Sequence, residues 1–173
     1  MGTERTVLVL RHAKSAYPPG VLDPERPLSD RGRRNAAAAG DWLRGRDLLP
    51  DRVLCSPSAR TRETWDLVSA HLGWTGTDDQ VIFDPRLYDA DPDDLLQVIR
   101  QVPATVGMLA LIGHNPASQE LVADLTGQPG IEFPTAALAV IRLRGPGWPA
   151  AAWGAGRLSA YWTPKGGSVP ARS

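Results

Sequence analysis

Two of the chain's three histidines end short apolar runs: His12 follows T-V-L-V-L-R, and His114 follows M-L-A-L-I-G. A neutral imidazole is a competent nucleophile near neutral pH, provided its second nitrogen donates to a fixed acceptor. Arg11, next to His12, carries a planar fork of N–H donors that suits phosphate oxygens. A single histidine at a strand end is ordinarily a hydrogen-bonded structural residue. Two of them, one preceded by Arg11 and the other flanked by Gly113 and Asn115-Pro116, point to phosphate chemistry. His71 lies in a helical pattern near Trp74 and reads as packing or surface.

The elements that position this pair follow from periodicity. Thr6 to Leu10 and Met108 to Ile112 are apolar without alternation, the pattern of strands buried on both faces of a parallel sheet. Arg52 to Ser56 and Gln80 to Phe83 read as two further strands. Helices are expected from the cap Ser29 to near Gly45, from the cap Ser58 to Gly73, through Leu95–Val102, and from about Ala117 to Leu125. Ala136 to Leu143 and Arg157 to Trp162 read as antiparallel edge strands, and the long Pro-rich stretch from His12 to Leu28 as a loop. The alternation predicts an α/β fold, an open and mostly parallel sheet with helices on both faces. Ligands in such sheets sit at the carboxyl ends of the strands, where Arg11-His12 and His114 both fall. A single domain is expected over residues 1–163, with a disordered tail over 164–173.

Composition narrows the classes. Lys plus Arg and Asp plus Glu are both 19, so no global field recruits nucleic acid or an acidic membrane, and an anionic ligand must be caught locally. Lys14 and Lys165 are the only lysines. The single Cys55 excludes an internal disulfide framework, and no stretch has the length of a membrane span or the pattern of a signal peptide, so a cytoplasmic protein is expected. M-G-T-E-R-T matches a loose myristoylation pattern but runs straight into the first strand.

Four ordered segments, L-R-H-A-K-S, P-L-S-D-R-G, C-S-P-S-A-R-T-R-E-T and I-G-H-N-P, span Arg11 to Pro116. Together they resemble the histidine phosphatase (phosphoglycerate mutase-like) superfamily, and the short length is most similar to its SixA-type phosphohistidine phosphatases. The resemblance implies a three-layer fold and a phosphatase in which His12 is the nucleophile and carries a phosphohistidine intermediate. It also implies that Arg11, Arg60 and His114 bind the phosphoryl oxygens and that no metal or other cofactor is required. Arg60 also falls in the first turn of its helix, where free N–H groups favour an anion. Arg62, two residues on, is the competing arginine and reads as a surface residue. Ser15 and Lys14 are candidates for the rim, Ser15 as a substrate-binding residue.

The pattern departs from the family at three places. The usual glycine after Arg-His is Ala13, acceptable unless the backbone there needs positive φ. The asparagine that follows the first motif in many relatives has no counterpart near Pro18. The L-x-E carboxylate reads Leu87-Tyr88-Asp89, which makes Asp89 the candidate general acid and Asp23 the alternative. SixA-type enzymes manage without the usual Glu, in keeping with an imidazole leaving group, so no acid at all is a third possibility. The neighbouring acids have plainer roles: Asp91 as cap, Pro92 in the first helical position, Asp93 and Asp94 against the helix dipole.

Two other signals fail on spacing. Cys55 to Arg60 is C-x4-R, one short of a cysteine phosphatase, and the Asp89–Arg100 stretch lacks the Gly and Glu of a calcium loop. Arg26, Arg31, Arg33 and Arg34 cluster at the start of the first helix. They form either a solvated face or a dock for an acidic phosphoprotein. The leading expectation is removal of phosphate from protein phosphohistidine; a small phosphomonoester substrate and a non-catalytic phosphate-binding module are the alternatives.

Overall fold

The run Val7 to Leu10 is apolar throughout because both of its faces are covered, and all four residues are at most 3% exposed. The computed structural model describes residues 4–170. Its strands are β1 (Arg5–Arg11), β2 (Arg52–Cys55), β3 (Val81–Phe83), β4 (Met108–Gly113), β5 (Leu138–Leu143), β6 (Gly156–Thr163) and β7 (Gly167–Pro170). Its helices are α1 (Asp30–Arg44), α2 (Ala59–Leu72), α3 (Pro92–Arg100) and α4 (Ala117–Thr126). One sheet runs in the order β3-β2-β4-β1-β5-β6-β7. Its first four members are mutually parallel, and β5, β6 and β7 are added antiparallel. This is the α/β architecture expected, with the antiparallel strands at one side.

The two-residue period of β1 divides the core. Val7 and Val9 join Leu95, Ile99, Leu121 and Leu125 on the α3–α4 side. Leu8 and Leu10 join Ala36, Leu43, Trp65 and Val68 on the α1–α2 side. Burying a side chain of this size contributes about 1.5–3 kcal/mol, so the two layers hold β1 in place from both directions. Helix α1 must approach α2 closely, because a Cβ at Gly40 would come within 2.5 Å of the Val68 carbonyl oxygen.

The strand ends differ from expectation in two places. Ala136 and Ala137 lie outside β5: Ala136 has φ 63°, and its N–H donates to the His12 carbonyl at 3.0 Å, which turns the chain onto the end of β1. The segment after Thr163, expected to be a disordered tail, turns at Pro164–Gly166 and returns as β7, antiparallel to β6, as far as Pro170. That pairing satisfies an edge that β6 would otherwise leave open. The myristoylation pattern begins at residues outside those described. Among the described residues, no helix is long and apolar enough to cross a membrane.

Candidate active site

β1 and β4 are neighbours in register, Arg11 opposite Gly113. The residues that follow them, His12 and His114, therefore emerge side by side, with ring centroids 5.3 Å apart. Ser56 leaves β2 on the other side of β4 in the same way, its N–H bound to the Ile112 carbonyl. Ser58 caps α2 through the Thr61 N–H and sets the helix's first turn, which carries Arg60, against the histidines. A cavity of about 320 Å³ opens here, lined by His12, Arg60, Tyr88, Asp89, His114 and Asn115 among others. Its volume is about ten times the roughly 30 Å³ of a liquid water, room for a phosphoryl group and the ring of a leaving imidazole.

The tautomer of His12 is fixed by its partner. Its Nδ1 lies 2.7 Å from the Ala13 carbonyl oxygen, which can only accept, so Nδ1 carries the proton and Nε2 is left with a lone pair. Burial, reinforced by the positive charges of Arg60 and Arg11, pushes the imidazole down to about 3, so it stays neutral at physiological pH. Ala13 has no positive φ, so the position that is usually glycine tolerates its methyl group, which is fully buried. The Ala13 N–H donates to Thr64 Oγ1 at 3.0 Å, and the Thr64 hydroxyl donates to the Arg60 carbonyl at 2.7 Å. One buried hydroxyl thus ties the nucleophile's loop to the arginine's helix.

The P-L-S-D-R-G segment supports the same loop from outside. Ser29 donates its N–H to the Lys14 carbonyl and, at 3.1 Å, its hydroxyl as well. Gly32 packs on that carbonyl so closely that a Cβ would sit 2.0 Å from the oxygen.

His114 is held by Ser56, with Nε2 2.7 Å from the hydroxyl oxygen, while Nδ1 faces Arg60 Nη2 at 3.4 Å. An arginine only donates, so Nδ1 is the acceptor and Nε2 carries the proton toward Ser56. Burial and then the Arg60 charge push this ring down to about 4. Arg60 also donates to the Asp23 carbonyl at 2.8 Å and to its carboxylate at 3.1 Å. The same carboxylate accepts from Tyr88 and from Arg26, and the Tyr88 bond followed by the arginines holds it well below the usual range. Arg11 donates to the Phe133 carbonyl at 3.1 Å, while its Nε is buried with no partner among the described residues. Asn115 donates to the same carbonyl at 2.8 Å.

The expected residues therefore fall into groups. His12, Arg60, His114 and Asp89 line the cavity; Arg11 is not among its lining residues but is close enough for its charge to depress both rings. Asp89 is exposed and has φ 54°, a conformation that Asp tolerates better than most residues. Asp23, the alternative acid, is an ionised partner of Arg60 rather than a proton donor. Ser15 does not reach the cavity: it pairs with Leu28 as an isolated bridge, is 6% exposed and accepts from Arg26. Lys14 is exposed. Arg62 stacks on Phe83 at 3.7 Å, away from the histidines. Cys55 is fully buried and its thiol is pushed up to about 12, which leaves no thiolate. His71 pairs with Asp41 at the surface. Ser56, Thr64 and Tyr88 received no role from the sequence. The register of β2 with β4 would have flagged Ser56, whereas nothing local marks the other two.

A mixed sheet thus delivers two neutral histidines from adjacent parallel strands to a cavity that Arg60 also lines, with the charge of Arg11 acting on both rings. The chain belongs to the histidine phosphatase superfamily (branch 1), whose family model matches residues 7–101, more than half of it. Its relatives include an uncharacterised protein of Mycobacterium tuberculosis, 38% identical over 146 residues, spanning 79% of this chain and 88% of that protein. They also include the phosphohistidine phosphatase SixA of Escherichia coli, 28% identical over 140 residues, spanning 79% and 84% respectively. Among solved structures, a protein of Nakamurella multipartitia provisionally named as the phosphohistidine phosphatase SixA has a TM-score of 0.82. It is 29% identical, with 94% of this chain and 97% of that one covered. A protein histidine phosphatase SixA complexed with tungstate has a TM-score of 0.78 at 25% identity, with 92% and 97% covered.

Proposed function

We propose that the protein is a metal-independent phosphatase that takes phosphate from protein phosphohistidine through an intermediate on His12. The observation that carries this reading is the Nδ1–H of His12 on the Ala13 carbonyl, which leaves Nε2 as the free nucleophilic nitrogen in a site where the ring is neutral. Nε2 attacks phosphorus as the substrate's N–P bond breaks, and the departing imidazole takes its proton from water. Water then attacks the phosphorus on His12, which releases inorganic phosphate and restores the free ring. Arg60 and Arg11 stabilise the charge on the transferring group, the part a metal ion plays in other phosphoryl transferases. His114 acts on the same oxygens once the arriving anion raises its proton affinity: Nε2 then donates to Ser56 and Nδ1 to the phosphoryl group.

The likeness to the SixA-type proteins supports the choice of substrate, as does a cavity with room for an imidazole ring beside Arg60, whose partner Asp23 is held ionised and leaves the leaving group to be protonated by water. A second reading rests on Asp89, which lines the cavity and would serve as acid for an alkoxide leaving group. A small phosphomonoester would then be the substrate. Comparing kcat/KM for a phosphohistidine-carrying protein with a panel of phosphate esters tests the choice. The proposal expects the phosphoprotein to be preferred; a metabolite ester turned over more efficiently would replace it with the second reading.

A further inference from the structure

A second cleft, of about 130 Å³, lies on the α1 side of the sheet and is lined by Arg31, Asn35, Pro134, Thr135, Pro164 and Lys165. It opens at the same edge as the catalytic cavity. β6 is antiparallel to β5, which is antiparallel to β1, so the Pro164–Lys165 turn emerges beside the carboxyl end of β1. Thr135 precedes Ala136, whose N–H is bound to the His12 carbonyl, and Arg31 precedes Gly32, which packs on the Lys14 carbonyl. With consecutive Cα atoms about 3.8 Å apart, these links put the cleft within roughly 15 Å of His12.

Among the described residues, the charge of this cleft is uncompensated. Arg31 and Lys165 are both exposed, and neither makes an ion pair or side-chain hydrogen bond among the described residues. Among the described residues, no carboxylate lines it. Of the other arginines of the same sequence cluster, Arg26 is paired with Asp23 and Ser15 and Arg33 with Asp30 and Glu63, while Arg34 is exposed and does not line the cleft. On a chain whose formal charge is zero, two cations without a partner among the described residues, set around one concavity with a Thr hydroxyl and an Asn amide beside them, form a local site for carboxylates.

Resting on the function proposed above, we infer that this cleft receives acidic side chains of the phosphoprotein substrate and so separates protein substrates from small phosphate compounds. The double variant Arg31→Glu, Lys165→Glu tests it, since both residues are exposed and lie outside the catalytic cavity. The kcat/KM for a phosphohistidine-carrying protein should fall roughly tenfold, mainly through KM, with the difference shrinking at high salt. Turnover of phosphoramidate should not change. The milder Arg31→Gln, Lys165→Gln variant should move in the same direction, and Arg144→Glu, Arg157→Glu, which makes the same net-charge change toward the opposite end of the sheet, should have no effect.

An unaltered kcat/KM on the phosphoprotein, an equal fall on phosphoramidate, or an equal fall with the Arg144 and Arg157 changes would overturn the inference while leaving the proposed function standing. If the unmodified enzyme hydrolyses small esters but no phosphohistidine protein, the proposed function fails instead. Binding of a fluorescein-labelled glutamate-rich peptide to the His12→Ala protein, read by anisotropy, then decides the cleft. Binding lost on reversing Arg31 and Lys165 supports the inference, and binding unchanged by the reversal overturns it.

Discussion

Replacing His12 by Asn should make the protein less sensitive to acid. The imidazole takes a proton near pH 6.5 when the chain is unfolded, but not until about pH 3 when folded. Folding stability is therefore complete above about pH 6.5 and is lost progressively as the pH falls toward the folded value, because the unfolded state gains a proton that the native state refuses. At pH 5 the loss is about 2 kcal/mol, and it depends almost entirely on the unfolded value so long as the folded one stays below about 4. His114, pushed down to about 4, contributes a similar amount. The two rings together should cost the unmodified protein about 4 kcal/mol between pH 8 and pH 5, and the variant about 2 kcal/mol. Asn is neutral at both values and can still donate to the Ala13 carbonyl, while the carboxylates and His71 are common to both proteins and cancel. Urea unfolding followed by circular dichroism at the two pH values supplies the four free energies needed. If the two proteins lost the same stability on acidification, the His12 ring would not be buried neutral and the tautomer argument for its nucleophilicity would collapse.

Arg60→Lys keeps a charge but loses the planar fork, and kcat should fall by about 10²- to 10³-fold in a steady-state assay; a change of less than a few-fold would remove Arg60 from the transition state. Thr64→Val breaks the buried tie between the Ala13 N–H and the Arg60 carbonyl, so a urea titration should show a destabilisation of about 1–3 kcal/mol. Asp89→Asn should leave turnover of a phosphohistidine protein within a few-fold of normal, while any hydrolysis of an alkyl phosphate drops by about 10²-fold or more. Equal losses on both substrates would mean that the leaving group does not set the need for an acid.

The parts of the fold that were legible in the sequence are those where burial is uniform. β1 and β4 are apolar on both faces, and the Ser29 and Ser58 caps mark where α1 and α2 begin. β7 was not legible, because a short strand rich in small residues carries little periodic signal and exists through its pairing with β6. Ala136 misleads for the opposite reason: its composition suits β5, but its φ of 63° and its N–H bond to the His12 carbonyl set it outside the strand.

At the site, His12, His114 and Arg60 could be anticipated because strand ends and a helix start have a direction that the chain order reveals. The bond between Tyr88 and Asp23 joins residues 65 apart in two loops, and only the folded arrangement brings them together. The same holds for the arginine cluster, in which the structure pairs Arg26 and Arg33 with carboxylates and sets Arg31 beside Lys165 in a cleft that Arg34 does not line.

The nucleophile itself can be observed. Acid would hydrolyse a phosphohistidine, so the enzyme should be mixed with phosphohistidine protein, quenched in alkali within the first turnover, digested and read by mass spectrometry. The phosphoryl group should be found on the peptide containing His12, and ³¹P NMR of the trapped protein should place it on Nε2, the nitrogen that does not face the Ala13 carbonyl. A phosphoryl group on His114, on Nδ1 of His12, or on no residue during rapid turnover would contradict the account.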